Sequence, residues 1–211
     1  MEETSGEVLS SAACPRCHWA RGPWLQPYHD LEWGVPVHSD RQHFELLVLE
    51  GAQAGLSWLT VLKRREAYRR AFADFDPVAV AAFDASRREA LLLDSGIVRH
   101  RQKVESAISN AVALIRVGLE FGSFDHYVWT FVDGGPLISG WSVPEQVPST
   151  TPNAESLSAD LRRRGFRFVG PTICYSYMQS VGLVNDHIQT CFRFRELTAE
   201  RDRWALAHPA H

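Results

Sequence analysis

Along most of this chain apolar positions recur at intervals of three and four rather than two, and the elements they predict are helices. From Asp40, Phe44, Leu47 and Val48 share one stripe that runs through Glu50 to a break at Gly55. Ser57 opens a second helical run carrying Leu59, Leu62 and Phe72. Asp76-Pro77 is a cap followed by proline at the first helical position, and Ser86 with Glu89 makes a capping box before Leu91, Leu92 and Leu93. Gly96 ends that helix. A long helix is predicted from about His100 to Val117, with Val104, Ile108, Ala111 and Ile115 inward and Gly118 as its stop. Residues 124–132 read as a short helix, and the turn-rich stretch 134–152 leads into a charged helix closing at Arg162-Arg163-Arg164. Gly165 stops that helix and Gly170-Pro171-Thr172 starts another, so 165–172 is a short hairpin between two helices. No alternating run of strand length stands out, and the fold class expected is all-α.

The ends break this pattern. Residues 1–12 are small and polar and are expected to be disordered, 13–197 form the helical domain, and 198–211 have the weak pattern of a tail or a loosely docked turn. The segment 14–36, with three Trp, a Tyr and four Pro, shows no sustained period and is expected to be an irregular, aromatic-rich loop.

Composition narrows the class. A chain of 211 residues, 45% hydrophobic, with seven Trp and eleven Phe, has what a globular core needs. No apolar run approaches the ~20 residues that span a bilayer, and the acidic N-terminus lacks a signal pattern, so a cytoplasmic protein without membrane association is expected. A net charge of -3 argues against non-selective coating of nucleic acid. Of 22 basic side chains only Lys63 and Lys103 are lysines, so anion recognition would rest on forked guanidinium groups. Four scattered cysteines do not make a disulfide framework; metal or packing suits them better.

Three groups of residues carry candidate chemistry. Cys17 and His29 lie in the aromatic segment, His187 and Cys191 stand four apart on what reads as the last helix, and two Cys with two His complete a tetrahedral zinc shell. Cys14 and His18 are rivals for Cys17. Four protein ligands leave no open position for water, which points to a structural ion joining the two chain ends rather than a zinc hydrolase. His43-Phe44-Glu45 matches the H-x-E of nucleobase deaminases, but the C-x-x-C precedes it and lacks the leading proline, so that match is accidental. Glu50 lies in an apolar helix beside Gly51, Ala52 and Ala54; it is either paired with an arginine or an acceptor on the wall of an aromatic pocket. The hairpin offers backbone NH groups at a helix N-terminus, an anion site if it is more than a connection.

Together, CHW at 17–19, YHDLEWGVP, LEGAQAGLSW, TVLKRRE, GIVRHRQK, FVGPTICYSYMQ and GLVNDH resemble the 3-methyladenine DNA glycosylase I family over about residues 16–195. That resemblance implies a helix-hairpin-helix glycosylase fold with one structural Zn2+ per chain, held by Cys17, His29, His187 and Cys191. It implies a DNA repair enzyme that flips the damaged nucleotide of alkylated double-stranded DNA and hydrolyses its N-glycosidic bond, releasing 3-methyladenine. The base pocket would be Trp19, Tyr28, Trp33, Glu50 and Trp58, with Glu50 also the candidate for catalysis; a position sometimes aromatic is Leu25 here. DNA contacts would come from Gly165, Gly170 and Thr172 of the hairpin and from Arg99 and Arg101. Asn185 stands where related glycosylases place a catalytic Asp, so the reaction would lean on the weak bond of a cationic base. With no lysine in 165–172, a lyase step is not expected, and a monomer is. The competing class is a zinc-stapled DNA-binding module without catalysis, which would need no cavity lined by Trp and a lone Glu.

Overall fold

A computed structural model describes residues 15–207, with side chains to 203; the segment expected to be disordered, and Cys14, lie outside the described residues. The helices are α1 (Gly22–Leu31), α2 (Asp40–Gln53), α3 (Trp58–Leu62), α4 (Arg65–Ala71), α5 (Pro77–Ala81), α6 (Ala85–Leu93), α7 (Arg101–Phe121) and α8 (Phe124–Trp129). After the turn-rich stretch come α9 (Pro152–Arg163), α10 (Pro171–Ser180) and α11 (Phe192–Ala207). Side-chain caps set several boundaries: Ser57 accepts from the Thr60 amide, Asp76 from Val78 and Ala79, Ser123 from His126 and Thr151 from Ala154.

Local signals were overridden in five places. The aromatic segment contains α1, started by Pro23 in its first turn. The cap before the leucine triplet is Asp84, which accepts from the Arg87 amide, not Ser86. α7 runs through Gly118 to Phe121 and stops at Gly122, whose φ of 89° only glycine adopts freely; Gly118 has no left-handed φ and is simply carried through. Leu137–Ile138 and Val184–Asn185 form a short parallel pair, β1 and β2, too short to leave an alternating signature. Thr198 lies inside α11, whose Leu197 is buried, so the last helix continues where a tail was expected.

α2 is the axis. Every side chain from His43 to Ala52 is buried, because α7, α8, α10 and α3 surround it. Three of those buried residues are ionisable. His43 is placed between the Tyr177 hydroxyl (2.7 Å) and an Asp125 carboxylate oxygen (2.9 Å). Glu45 accepts from Arg65 (2.7 Å) and Arg69 (2.9 Å). Both are satisfied, as buried polar groups must be. The third is Glu50.

The N-terminal segment is fastened across α10. Gly34 N–H donates to the Gln179 carbonyl and Val37 N–H to that of Val181. At Gly182, with φ of 72°, a Cβ would lie 2.4 Å from the Pro36 nitrogen, so no other residue permits the crossing. This crossing brings α1 onto the same side of α2 as α10.

Candidate active site

Glu50 is 4% exposed and, among the described residues, makes no hydrogen bond and no ion pair. Of its two possible roles, pairing with an arginine is therefore excluded. Burial alone pushes its carboxyl up to about 8. It faces a cavity of about 330 Å3 whose wall includes Trp19, Tyr28, Trp33 and Trp58, which with Glu50 itself are the five pocket residues expected from the family resemblance. Leu25 is there as well.

The aromatic rings brace one another, edge to face in one pair and tilted in the other. Trp19 and Trp33 lie 5.0 Å apart at 83°, and Tyr28 and Trp58 5.2 Å apart at 48°. The Tyr28 hydroxyl is pushed well above its ordinary value, first by burial and then by the charges of Glu50 and Glu32. The Trp58 indole nitrogen is buried without a partner among the described residues. A flat apolar ligand with a polar edge suits such a wall.

Three further residues at this site were not visible as functional in the sequence. Leu56, 42% exposed, stands in the turn after α2 and lines a groove with Glu50, Gln53, Thr172 and Ser176, beside the cavity. Lys103 holds that turn by donating to the carbonyls of Ala52 (2.9 Å) and Ala54 (2.7 Å). Gln179 lines the cavity, and its amide donates to Asp186 at 2.7 Å. A solitary leucine or glutamine has no signature in sequence; only their placement marks them.

Asn185, at the position of the absent Asp, does not reach this cavity. Its amide donates to the Phe194 carbonyl and its oxygen accepts from the His187 amide, so it secures the approach to α11.

The connection between α9 and α10 leads into the helix whose Thr172, Ile173 and Ser176 line the same groove. Gly165, with φ of 92°, ends α9 as expected. Phe168 is also left-handed, with φ of 55°, and Asn110 clamps Arg167 by donating to its carbonyl and accepting from its amide. Gly51 lets α2 approach: a Cβ there would lie 3.3 Å from that of Phe168. Gly170 caps α10 with an ordinary φ of -65°, and a Cβ there would meet only the tip of Arg162 at 3.4 Å. The fold itself does not require glycine at 170. Thr172 is exposed in the first turn of α10. Arg99 and Arg101 are exposed, and Arg101 pairs with Glu89 at 2.7 Å.

Behind Trp19 and Trp33, Cys17, His29, His187 and Cys191 converge, all buried, with ligand atoms within 4.8 Å of one another. His187 and Cys191 do not sit on a helix. They flank a turn closed by Cys191 N–H to the Ile188 carbonyl, which reproduces the four-residue spacing before α11 begins. The edges are 3.6 Å for Cys17 to His187, 3.4 Å for Cys191 to His29, 3.5 Å for Cys191 to His187 and 3.2 Å between the imidazoles. A tetrahedron with bonds of ~2.0–2.3 Å has edges of about 3.3–3.8 Å, so the four donors fit around a metal ion. His29 presents Nε2 inward while its Nδ1 meets Asp30 at 2.8 Å; His187 presents Nδ1 while its Nε2 meets the Trp33 carbonyl at 3.0 Å. Burial pushes the Asp30 carboxyl up, but hydrogen bonds from Arg16 and His29 outweigh it and hold the group below its ordinary value. Hydrogen bonding with Cys17 pulls the Cys191 thiol down and pushes that of Cys17 up, so one sulfur is already disposed to be a thiolate. Cys17 occupies the fourth position and His18 is exposed.

The model of the methyladenine glycosylase family matches residues 19–194. The chain belongs to that family. It is 47% identical over 177 residues to DNA-3-methyladenine glycosylase 1 of Escherichia coli (strain K12), covering 83% of this chain and 95% of the relative. A crystal structure of 3-methyladenine DNA glycosylase I superimposes with a TM-score of 0.82 at 50% identity, covering 84% of this chain and 98% of that one. The enzyme from Staphylococcus aureus, whose structure concerns 3-methyladenine recognition, is 35% identical with the same TM-score over 85% of this chain and 96% of its own. This glycosylase is thus a hydrolase of N-glycosyl bonds acting in DNA repair, and the binding-module alternative falls away.

Proposed function

We propose that this glycosylase takes a 3-methyladenine nucleotide out of alkylated duplex DNA into the cavity at Glu50 and hydrolyses its glycosidic bond without a lyase step. The observation that carries the reading is a buried carboxyl, with no partner among the described residues, on the wall of an aromatic cavity. A purine methylated at N3 is cationic. Next to a cation the carboxyl gives up its proton, so Glu50 is costly to ionise for a normal base and favourable for the damaged one. The aromatic wall holds the ring faces, at about 1–3 kcal/mol per stacking contact. When the C1′–N9 bond breaks, its electron pair returns to the base and neutralises it, while water bonds to the sugar carbon and releases a proton. No strong base is needed for so good a leaving group, which agrees with Asn185 being turned away.

On the same reading Leu56 is the wedge that fills the gap left in the duplex, since it is an exposed apolar tip beside the cavity mouth. The α9–α10 hairpin, with Gly165, Gly170 and Thr172, acts as a helix-hairpin-helix anchor on backbone phosphate, assisted by Arg99 and Arg101. The cluster of two thiols and two imidazoles holds one Zn2+, for which this donor set is suited. Bound there, the ion supplies a staple between the segment before α1 and the turn before α11. A monomer suffices, because one chain contains every residue named.

The test is incubation with methylated duplex DNA and chromatography of what is released. The expected products are free 3-methyladenine and an uncut strand carrying an abasic site. Release of another base alone, or strand cleavage at the site by the protein itself, contradicts the proposal.

A further inference from the structure

Asp186 is 2% exposed and its carboxylate is fully engaged. One oxygen accepts from the Trp141 indole at 2.9 Å, and the other accepts from the Tyr175 hydroxyl and from the Gln179 amide at 2.7 Å. A carboxylate only accepts. The NH2 end of Gln179 is therefore committed to Asp186, and the carbonyl end is turned the other way. Gln179 lines the cavity from α10, while Glu50 approaches from α2.

We propose that Gln179 is a specificity-determining residue, whose side-chain oxygen is a fixed acceptor for the exocyclic amine of the flipped base, with Asp186 the positioning residue that prevents the amide from turning over. This rests on the glycosylase reading of the same cavity. An amine on the purine carries two N–H groups, and the cavity then offers them two acceptors, Glu50 and Gln179. A free glutamine would rotate to present either end and would serve an adenine amine or a guanine carbonyl equally. A glutamine whose NH2 is held presents only oxygen, and a carbonyl in place of the amine meets an acceptor with an acceptor. The cavity thus selects 3-methyladenine over 3-methylguanine by an amide that cannot adapt.

The experiment compares single-turnover release from duplexes carrying either 3-methyladenine or 3-methylguanine, for wild type, Gln179→Met and Asp186→Asn, alongside affinity for an abasic duplex. Gln179→Met keeps the length of the side chain and removes the acceptor. It is expected to slow 3-methyladenine release about tenfold, the order of one hydrogen bond, and to narrow the preference over 3-methylguanine by a similar factor, with abasic-duplex affinity unchanged. Asp186→Asn can donate to Gln179 and so allows it to turn over; the preference narrows there too, although Gln179 is intact. A merely structural role would slow both substrates alike. A preference equal to wild type in Gln179→Met overturns the inference, and this variant decides the matter even where Asp186→Asn does not fold, since it leaves Asp186 with Tyr175 and Trp141. A wild-type chain releasing neither base overturns the glycosylase reading itself, and this inference with it.

Discussion

Glu50 couples the stability of this protein to pH through a single side chain. Its carboxyl titrates at about 8 in the folded chain against 4.5 ordinarily. Between those values the folded state keeps a proton that the unfolded state has released, so stability is fully present below the lower value and declines as pH rises through the upper one. Removing the group with Glu50→Gln should flatten that decline. In denaturant titrations at pH 5 and pH 8, the wild type is expected to lose more stability between the two than the variant, by an amount on the order of a few kcal/mol. Parallel losses would mean that the carboxyl is not held neutral. The role of Glu50 was partly legible in sequence, because a lone carboxylate in an apolar helix must be paired or functional. His43 and Glu45 on the same helix looked no different; only their partners on distant elements separate them from Glu50. Gln179 was not legible at all, since what fixes its amide is Asp186, in a segment with no periodic signal.

At the scale of elements, the turn after α2 and the start of α10 flank one groove, and each has a substitution that isolates it. Gly170 is not demanded by the fold, so Gly170→Val should fold normally while blocking close approach of a phosphate. Affinity for abasic duplex is expected to drop about tenfold whatever the sequence, with binding of free 3-methyladenine intact; unchanged duplex affinity would reduce the hairpin to a connection. Leu56→Ala should leave duplex binding nearly unchanged but slow base release by roughly tenfold, because flipping costs a few kcal/mol that the wedge helps to offset. Equal single-turnover rates would remove the wedge from the account. The helices themselves were readable from period and caps, as at Ser57 and Asp76. α1 was hidden by its prolines and aromatics, and the His187–Cys191 spacing suggested a helix that a turn imitates.

Across the whole molecule, the segment that begins at Cys17 and the turn at 187–191 are joined at the buried cluster, and the pocket wall at Trp19 and Trp33 leans on it. Purified protein is expected to contain one zinc per chain. Cys191→Ser, leaving a buried incomplete shell, should lower stability by roughly 3 kcal/mol, or about 6–12 °C in Tm for a chain of this size. An unchanged Tm, or no metal in active protein, would contradict the assignment. With a net charge of -3 and the proposed hairpin anchor, DNA affinity is expected to depend on a few placed contacts, many of them backbone NH groups that release few counterions. Log affinity should therefore fall with log salt at a slope of only ~2–4. All these elements converge on one cavity whose defining property is a carboxyl that a cation would ionise. The most direct measurement is single-turnover excision of 3-methyladenine by Glu50→Gln, which keeps shape and hydrogen-bonding capacity but cannot become an anion. A fall of about 10- to 100-fold, corresponding to ~1.5–3 kcal/mol, with unchanged affinity for abasic duplex, is predicted. Excision at the wild-type rate by the folded variant would contradict it.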